Sequence, residues 1–256
     1  MRLALANLKG GVGKTTTAVN LAAAFARSGL TTLLIDLDPQ ASATFSMGVS
    51  REQAEISSAE VLSGKAEVGE AAAETLVPGL HLLPGSPRLA SAEWSLVRKQ
   101  EPEKLLKKAL ATVRRYDVVV MDSPPGLSIL TLNALAASDA FIVPVAPHRL
   151  DAEAAGSFLE LIEELRDRIG RKAELMGILL TMVDHRTLLT EAMVTEIRRR
   201  YGQKVLRTEI PINVRLAEAP SRGIPIFNYE SWSTGAAAYG RLGAEVLRRS
   251  RKAELL

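Results

Sequence analysis

The chain has 256 residues, 47% hydrophobic and 24% charged, which is the balance of a folded globular protein and excludes a disordered, tail-like chain. Cysteine is absent, which removes disulfides, thiol catalysis and cysteine-held zinc or iron–sulfur clusters, and the three histidines (His81, His148, His185) are too scattered for a multi-histidine metal site. Net charge is only +3, yet an isoelectric point near 9.2 leaves nucleic acid open as a partner. No apolar run reaches the ~18 residues of a membrane span. A glycine cluster follows Arg2 too closely for a signal peptide. A cytoplasmic protein is expected, with a core of Leu, Ala, Val and Ile because aromatics are only 4%.

Short apolar runs alternate with longer helical patterns, the mark of an α/β fold with a mostly parallel sheet and helices on both faces. Strands are expected at Arg2–Asn7, Thr31–Asp36, Gly79–Leu83, Asp117–Asp122, Ala140–Val145, Leu175–Val183 and Val205–Ile210. Runs such as Val118-Val119-Val120-Met121 are apolar at consecutive positions, as strands covered on both faces must be. Amphipathic helices are expected at Thr15–Ser28, Glu103–Arg115, Leu127–Ala137, Ala152–Ile169, Leu188–Tyr201 and Thr234–Arg249, with surface helices within Arg51–Glu74. No repeat or composition shift divides the chain, so one domain is expected over 1–256. With its first strand at Arg2, no DNA-recognition domain is expected ahead of it.

Between the first strand and first helix lies Lys9-Gly10-Gly11-Val12-Gly13-Lys14-Thr15-Thr16, and that context gives a glycine-rich loop its meaning. Glycines let consecutive N–H groups aim at phosphate oxygens, and the helix N-terminus adds a favourable dipole. Lys14 is expected at the β- and γ-phosphates and the Thr15 hydroxyl at Mg²⁺, so the fold is P-loop NTPase-like. The usual pattern has glycine at position 8; here Leu8 stands there, followed by a second lysine, Lys9.

This loop resembles that of the deviant Walker A ATPases, and within them the chain looks like the ParA/Soj partition ATPases. Three further motifs carry the resemblance: Asp36-Leu37-Asp38-Pro39-Gln40 after the second strand, Asp122-Ser123-Pro124-Pro125-Gly126 after the fourth, and Ile210-Pro211-Ile212-Asn213 with Val214–Pro220 near the C-terminus. Leu8, often glutamine in relatives, and Ile212, often arginine, depart from the pattern. The resemblance implies ATP and Mg²⁺ as cofactors and hydrolysis of ATP to ADP and phosphate. It implies that Lys9, Gly10, Gly11, Val12, Gly13, Lys14, Thr15 and Thr16 hold the phosphates, with Pro211 and Asn213 near the adenine. Asp122, at the end of an apolar strand, is placed to hold a Mg²⁺-bound water. Asp38 would orient the lytic water, while Asp36 would support the Mg²⁺ shell or serve the loop's structure. Lys9 would cross a homodimer interface to the partner's ATP.

Positive charge gathers toward the C-terminus. Residues 186–222 carry eight basic against four acidic residues, and 241–252 carry five against one. Such patches suit contacts with DNA phosphates rather than base reading. By resemblance, Arg186 and Arg215, with Arg222 in the same segment, would bind double-stranded DNA nonspecifically, giving a nucleoid-associated protein released by a ParB-like adaptor. The alternatives are a positioning ATPase for a protein cargo, an ATP-binding scaffold, and a membrane-associated MinD-like ATPase. The tail Val246–Lys252 has bases but no Phe or Trp to bury in a headgroup region, which disfavours a membrane.

Overall fold

The computed structural model describes residues 1–50, 54–170, 173–253 and 255. Its strands are β1 (Arg2–Leu5), β2 (Thr32–Asp36), β3 (Ala73–Glu74), β4 (Leu80–Leu83), β5 (Val118–Asp122), β6 (Ala140–Val145), β7 (Glu174–Val183) and β8 (Val205–Pro211). They form one sheet of order β3-β4-β2-β5-β1-β6-β7-β8, parallel throughout except for the β3–β4 pair. All the expected strands are present. The two-residue β3 was not legible, because so short an exposed edge has no periodicity to read.

The helices of nine or more residues are α1 (Lys14–Arg27), α2 (Arg88–Leu96), α3 (Ile129–Ala137), α4 (Arg149–Glu164), α5 (Leu188–Tyr201) and α6 (Thr234–Lys252). Parallel strands need crossovers, and here these cover both faces of the sheet. On β1, Leu3 and Leu5 join the α1 and α6 side with Phe25, Tyr239, Leu242 and Val246, while Ala4 joins the opposite side with Leu130, Phe158 and Ile197. Tyr239, Leu242 and Val246 are fully buried at i, i+3 and i+7 of α6, each worth roughly 1.5–3 kcal/mol.

Several expected boundaries move. The helix expected at Glu103–Arg115 is a 3₁₀ turn, Pro102–Lys104, followed by Leu105–Ala109 only. Its continuation is interrupted where the Arg2 guanidinium donates to the Leu110 carbonyl at 2.6 Å. The segment expected to carry surface helices instead buries Ala59, Val61, Leu62, Val68 and Ala71 in the core through the helices Ser58–Ser63 and Val68–Ala71. Arg51–Gln53 of that segment lie outside the described residues. Helix α2 and the short helices Ser42–Ser46, Val214–Glu218 and Ile226–Tyr229 also went unread, because tertiary packing rather than a long apolar period sustains them.

A backbone contact clamps two of these short elements. Gly48, after Ser42–Ser46, and Gly223, after the 3₁₀ turn Ala219–Arg222, have φ of 74° and 67°, and a Cβ on Gly223 would stand 2.5 Å from the Gly48 Cα. Gly223→Ala is expected to cost about 2 kcal/mol or more from left-handed strain and overlap. The check is a lower urea midpoint with unchanged slope.

Candidate functional site

The glycine-rich loop leaves the carboxyl end of β1, which lies between β5 and β6 at the middle of the sheet, the position where open α/β sheets bind ligands. The loop is tied to its surroundings by its own side chains and carbonyls. Asn7 donates to the Pro144 carbonyl at 2.7 Å and accepts from the Lys9 amide at 3.2 Å, while Thr181 donates to the Val12 carbonyl at 2.9 Å. Gly11 and Gly13 adopt φ of 76° and 82°, which ordinary side chains rarely tolerate. Helix α1 then begins with no side-chain cap and no acid in its first turn. Its leading N–H groups are therefore available to an anion.

Lys14 is buried and donates to the Lys9 carbonyl at 2.8 Å. Burial lowers its pKa, with Asp122 and Asp38 pulling the other way. Thr15 and Thr16 are half-buried on the first turn, and Gly10 and Gly11 are exposed. Lys9 pairs with Asp151 on the first turn of α4.

The carboxylates converge from two neighbouring strands, since Asp36 of β2 and Asp122 of β5 are register partners. Both are completely buried. Asp36 is engaged: it accepts from the Asp38 amide at 3.0 Å, the Thr44 amide at 2.8 Å and the Thr44 hydroxyl at 2.7 Å. Thr44 in turn accepts from the Gly85 amide at 2.8 Å. Burial pushes the Asp36 carboxyl up to about 6 against those hydrogen bonds. Of the two roles left open by the sequence, this geometry supports organising the loop that carries Asp38. Asp38 is buried beside the site and accepts from the Gln40 amide at 2.9 Å. Ala41, just beyond, has a left-handed φ of 54°, strain that a packed loop must sustain.

Asp122 is different. Neither of its buried oxygens finds a hydrogen-bond partner of good geometry. Burial and then Asp36 raise its carboxyl well above the usual range, while Thr15 and Lys14 oppose them. A buried acid without a partner, beside the Thr15 hydroxyl and an uncapped helix start, fits a hard divalent cation with oxygen ligands.

On the other side of Gly13 a cavity of about 570 Å³ is lined by Thr16, Pro147, His148, Met182, Pro211 and Asn213 among others. Pro211 and Asn213, expected near the adenine, line this cavity together. The Asn213 side chain, however, is occupied: it caps the helix Val214–Glu218 by accepting from the Arg215 amide at 2.9 Å, and donates to Thr234 at 2.7 Å. Pro147, His148 and Met182 went unread, because β6 and β7 bring them there from distant sequence. Met182 has a left-handed φ of 54° within β7, a feature no residue pattern announces.

The candidate DNA-binding arginines Arg186, Arg215 and Arg222 are not among the residues lining that cavity. Arg186 makes two 2.8 Å hydrogen bonds to Asp184, and Arg215 donates to Glu218 at 2.8 Å, so each is partly neutralised locally. Arg222 is exposed at the end of its 3₁₀ turn. The fold also joins the two basic clusters of the sequence. Arg198 and Arg207 share a cleft of about 950 Å³ with Arg248, Arg249 and Lys252 of α6, along the edge strand β8. The acid of that cleft, Glu245, is buried and accepts from the Arg207 and Thr208 amides at 2.8 Å each. Burial works against its ionisation, but those bonds and Arg249 outweigh it and keep the carboxyl below the usual range. Among the described residues the side chains of Arg207, Arg241, Arg248 and Lys252 form no ion pair. They make an exposed cationic stripe.

A family model described as an AAA domain matches residues 1–175. The chain is 46% identical over 254 residues to the chromosome-partitioning ATPase Soj of Thermus thermophilus, covering 98% of this chain and 97% of that protein. It is 40% identical over 252 residues to the chromosome partitioning protein ParA of Caulobacter vibrioides, covering 97% and 94%. Among solved structures, a cobyrinic acid a,c-diamide synthase from Mycobacterium smegmatis with bound ATP analogue and magnesium superposes with a TM-score of 0.86 at 36% identity, covering 98% and 96%.

The buried acids have a consequence for stability. Folding raises the pKa of both, so the fold favours their protonated forms, and stability should fall as the pH rises above about 4, the Asp36 part of that fall passing through about 6. Asp122→Asn removes a buried, unpartnered charge. It is expected to flatten that fall and to stabilise the free protein at pH 8 by about 1–3 kcal/mol, read from urea unfolding.

Proposed function

The chain belongs to the Soj/ParA family of chromosome-partitioning ATPases, and from that premise we propose how its residues turn over ATP and engage DNA. The Mycobacterium protein carries a synthase name, but the Thermus Soj and the Caulobacter ParA are more similar in sequence, at 46% and 40% against 36%. ATP and Mg²⁺ are the cofactors, and one ATPase domain over 1–256 does the work. The observation that carries the mechanism is Asp122, buried and without a partner beside the uncapped start of α1.

The triphosphate lies on the loop amides of Gly10 to Thr16, where the dipole of α1 favours negative charge. Lys14 exchanges the Lys9 carbonyl for the β- and γ-phosphates, and its burial strengthens that attraction. The Thr15 hydroxyl and, through water, Asp122 would hold Mg²⁺, which supplies charge neutralisation at the phosphates when bound. Asp38 accepts a hydrogen bond from the attacking water and orients it toward the γ-phosphate, and Asp36 keeps that loop in place. The adenine occupies the cavity beside Pro211 and Asn213, where packing against Met182 and Pro147 excludes water. Lys9 reaches across a homodimer to the partner's phosphates, placing positive charge where negative charge builds up in phosphoryl transfer.

The dimer then binds DNA phosphates nonspecifically through Arg186, Arg215 and Arg222, extended by the stripe Arg207, Arg241, Arg248 and Lys252. A ParB-like adaptor triggers hydrolysis and release, and the protein is nucleoid-associated in the cytoplasm. Among the described residues no helix is long and apolar enough to cross a membrane.

Lys9→Ala is expected to retain nucleotide affinity but lose ATP-dependent dimerisation, whereas Asp38→Ala should dimerise and persist on DNA with little phosphate release. Calorimetry, sedimentation and phosphate release on the same samples separate these roles. A Lys9→Ala protein that pairs normally with ATP would sink the cross-subunit role.

Arg248→Glu combined with Lys252→Glu is expected to weaken DNA binding more than Arg186→Glu, whose guanidinium already faces Asp184. Wild-type binding should need ATP, ignore sequence, and fall with salt at a log–log slope of about −0.9 per phosphate neutralised. The double variant should flatten that slope by roughly two units or more. Equal affinity with and without ATP overturns the DNA reading.

A further inference from the structure

His185 stands in the turn between β7 and α5, and both nitrogens of its ring face a carboxylate. Nδ1 is 2.5 Å from Glu191 on the first turn of α5, and Nε2 is 2.7 Å from Glu209 of β8. Glu209 places its other oxygen 2.6 Å from Arg198 of α5. A neutral imidazole carries one N–H and can serve only one of the two acids, while its other nitrogen turns a lone pair on the second. Only the doubly protonated ring satisfies both, so the arrangement is built for an imidazolium. Its hydrogen bonds to Glu191 and then to Glu209 raise its pKa above the ordinary imidazole value, against a smaller desolvation.

The same acids adjoin the cationic face. His185 and Glu209 share a cavity of about 320 Å³ with Arg207 of β8 and Arg241 of α6, whose side chains form no ion pair among the described residues. The other charged groups of the turn, Asp184 and Arg186, are bound to each other. Resting on the reading of this face as DNA-binding, we propose that His185 is a proton-operated switch on DNA affinity. As an imidazolium it masks Glu191 and Glu209 and leaves Arg207 and Arg241 to the DNA phosphates; as a neutral ring it releases a carboxylate to them. DNA then favours the protonated ring, so binding takes up protons and affinity falls as the pH rises above about 6.5 through the raised value. Fold stability from this bridge has the same sign, being complete below about 6.5 and lost over that window.

The test is fluorescence anisotropy of a labelled, mixed-sequence duplex titrated with the full chain, a non-hydrolysable ATP analogue and Mg²⁺ at low salt, from about pH 6 to 8. Sedimentation of the same samples without DNA monitors pairing. Wild-type affinity should fall about fourfold over that range, since the dimer loses two charges that are partly screened and do not themselves touch phosphate. His185→Gln should stay near the high-pH wild-type value throughout, and His185→Lys, whose cation does not titrate here, near the low-pH value. Position 185 is exposed, so both variants are expected to fold. Imidazole nitrogen chemical shifts read the ring directly: its pKa should lie above the ordinary value and rise further when the duplex is added. The proposal is overturned by a pH dependence equal in wild type and His185→Gln with pairing intact, or by a His185 that titrates at or below the ordinary value. A chain that binds no duplex with the analogue at any pH overturns the DNA reading itself, and this switch with it.

Discussion

Uncompensated negative charge at the carboxyl edge of the sheet is the constraint on which the rest of the structure depends. Asp36 and Asp122 are register partners on adjacent strands, both buried, and the ammonium of Lys14 is the cation placed between the loop and these acids. Such an arrangement is unfavourable for an empty protein, because burial and like charge both resist ionisation. It is tolerated because the surrounding elements hold it: the sheet registers the acids, the Thr44 and Asp38 donors occupy Asp36, and Val12 docks the phosphate loop on Thr181. A site assembled in this way has its strongest electrostatic reason to bind a divalent cation and a polyphosphate together.

Asp36 also links the site to the fold at large. Through Thr44 it reaches the Gly85 amide beyond β4, and a Cβ on Gly85 would stand 2.7 Å from the Asp36 carboxyl carbon. The loop bearing Asp38 is thereby fixed at several points within a few residues. Ala41 retains a left-handed backbone in that loop, so the segment stores strain close to the residue assigned to the lytic water. Rigid support with local strain is a suitable basis for a catalytic group that must be positioned rather than merely present.

Charge is handled in the opposite manner at the far edge of the sheet. There the acid Glu245 is buried, held by backbone amides and paired with Arg249 at 3.1 Å, and among the described residues Arg207, Arg248 and Lys252 are left without an ion pair. Arg241, Arg248 and Lys252 follow one another at intervals of seven and four residues along α6, so they share one helix face beside Arg207. Arg186 and Arg215, in contrast, are balanced by acids two or three residues away. Two basic regions of similar composition thus end with different electrostatic character.

The sequence by itself determined the parallel sheet, the phosphate loop and the acids at the strand ends. Buried strands write continuous apolar runs, and a loop that must approach phosphate writes glycines and a lysine at set intervals; both are local signals. Tertiary structure alone decided what each of those groups faces. Asp36 and Asp122 look alike as strand-end acids, yet one is enclosed by donors while the other, beside the Thr15 hydroxyl and Lys14, finds no hydrogen bond of good geometry among the described residues. Lys9 reads as a loop lysine, but its partner Asp151 lies 142 residues away and meets it only because β6 runs beside β1. Asn213 reads as a contact group and is spent on a helix cap. Partner identity is a product of long-range packing, and residue type and spacing carry no record of it.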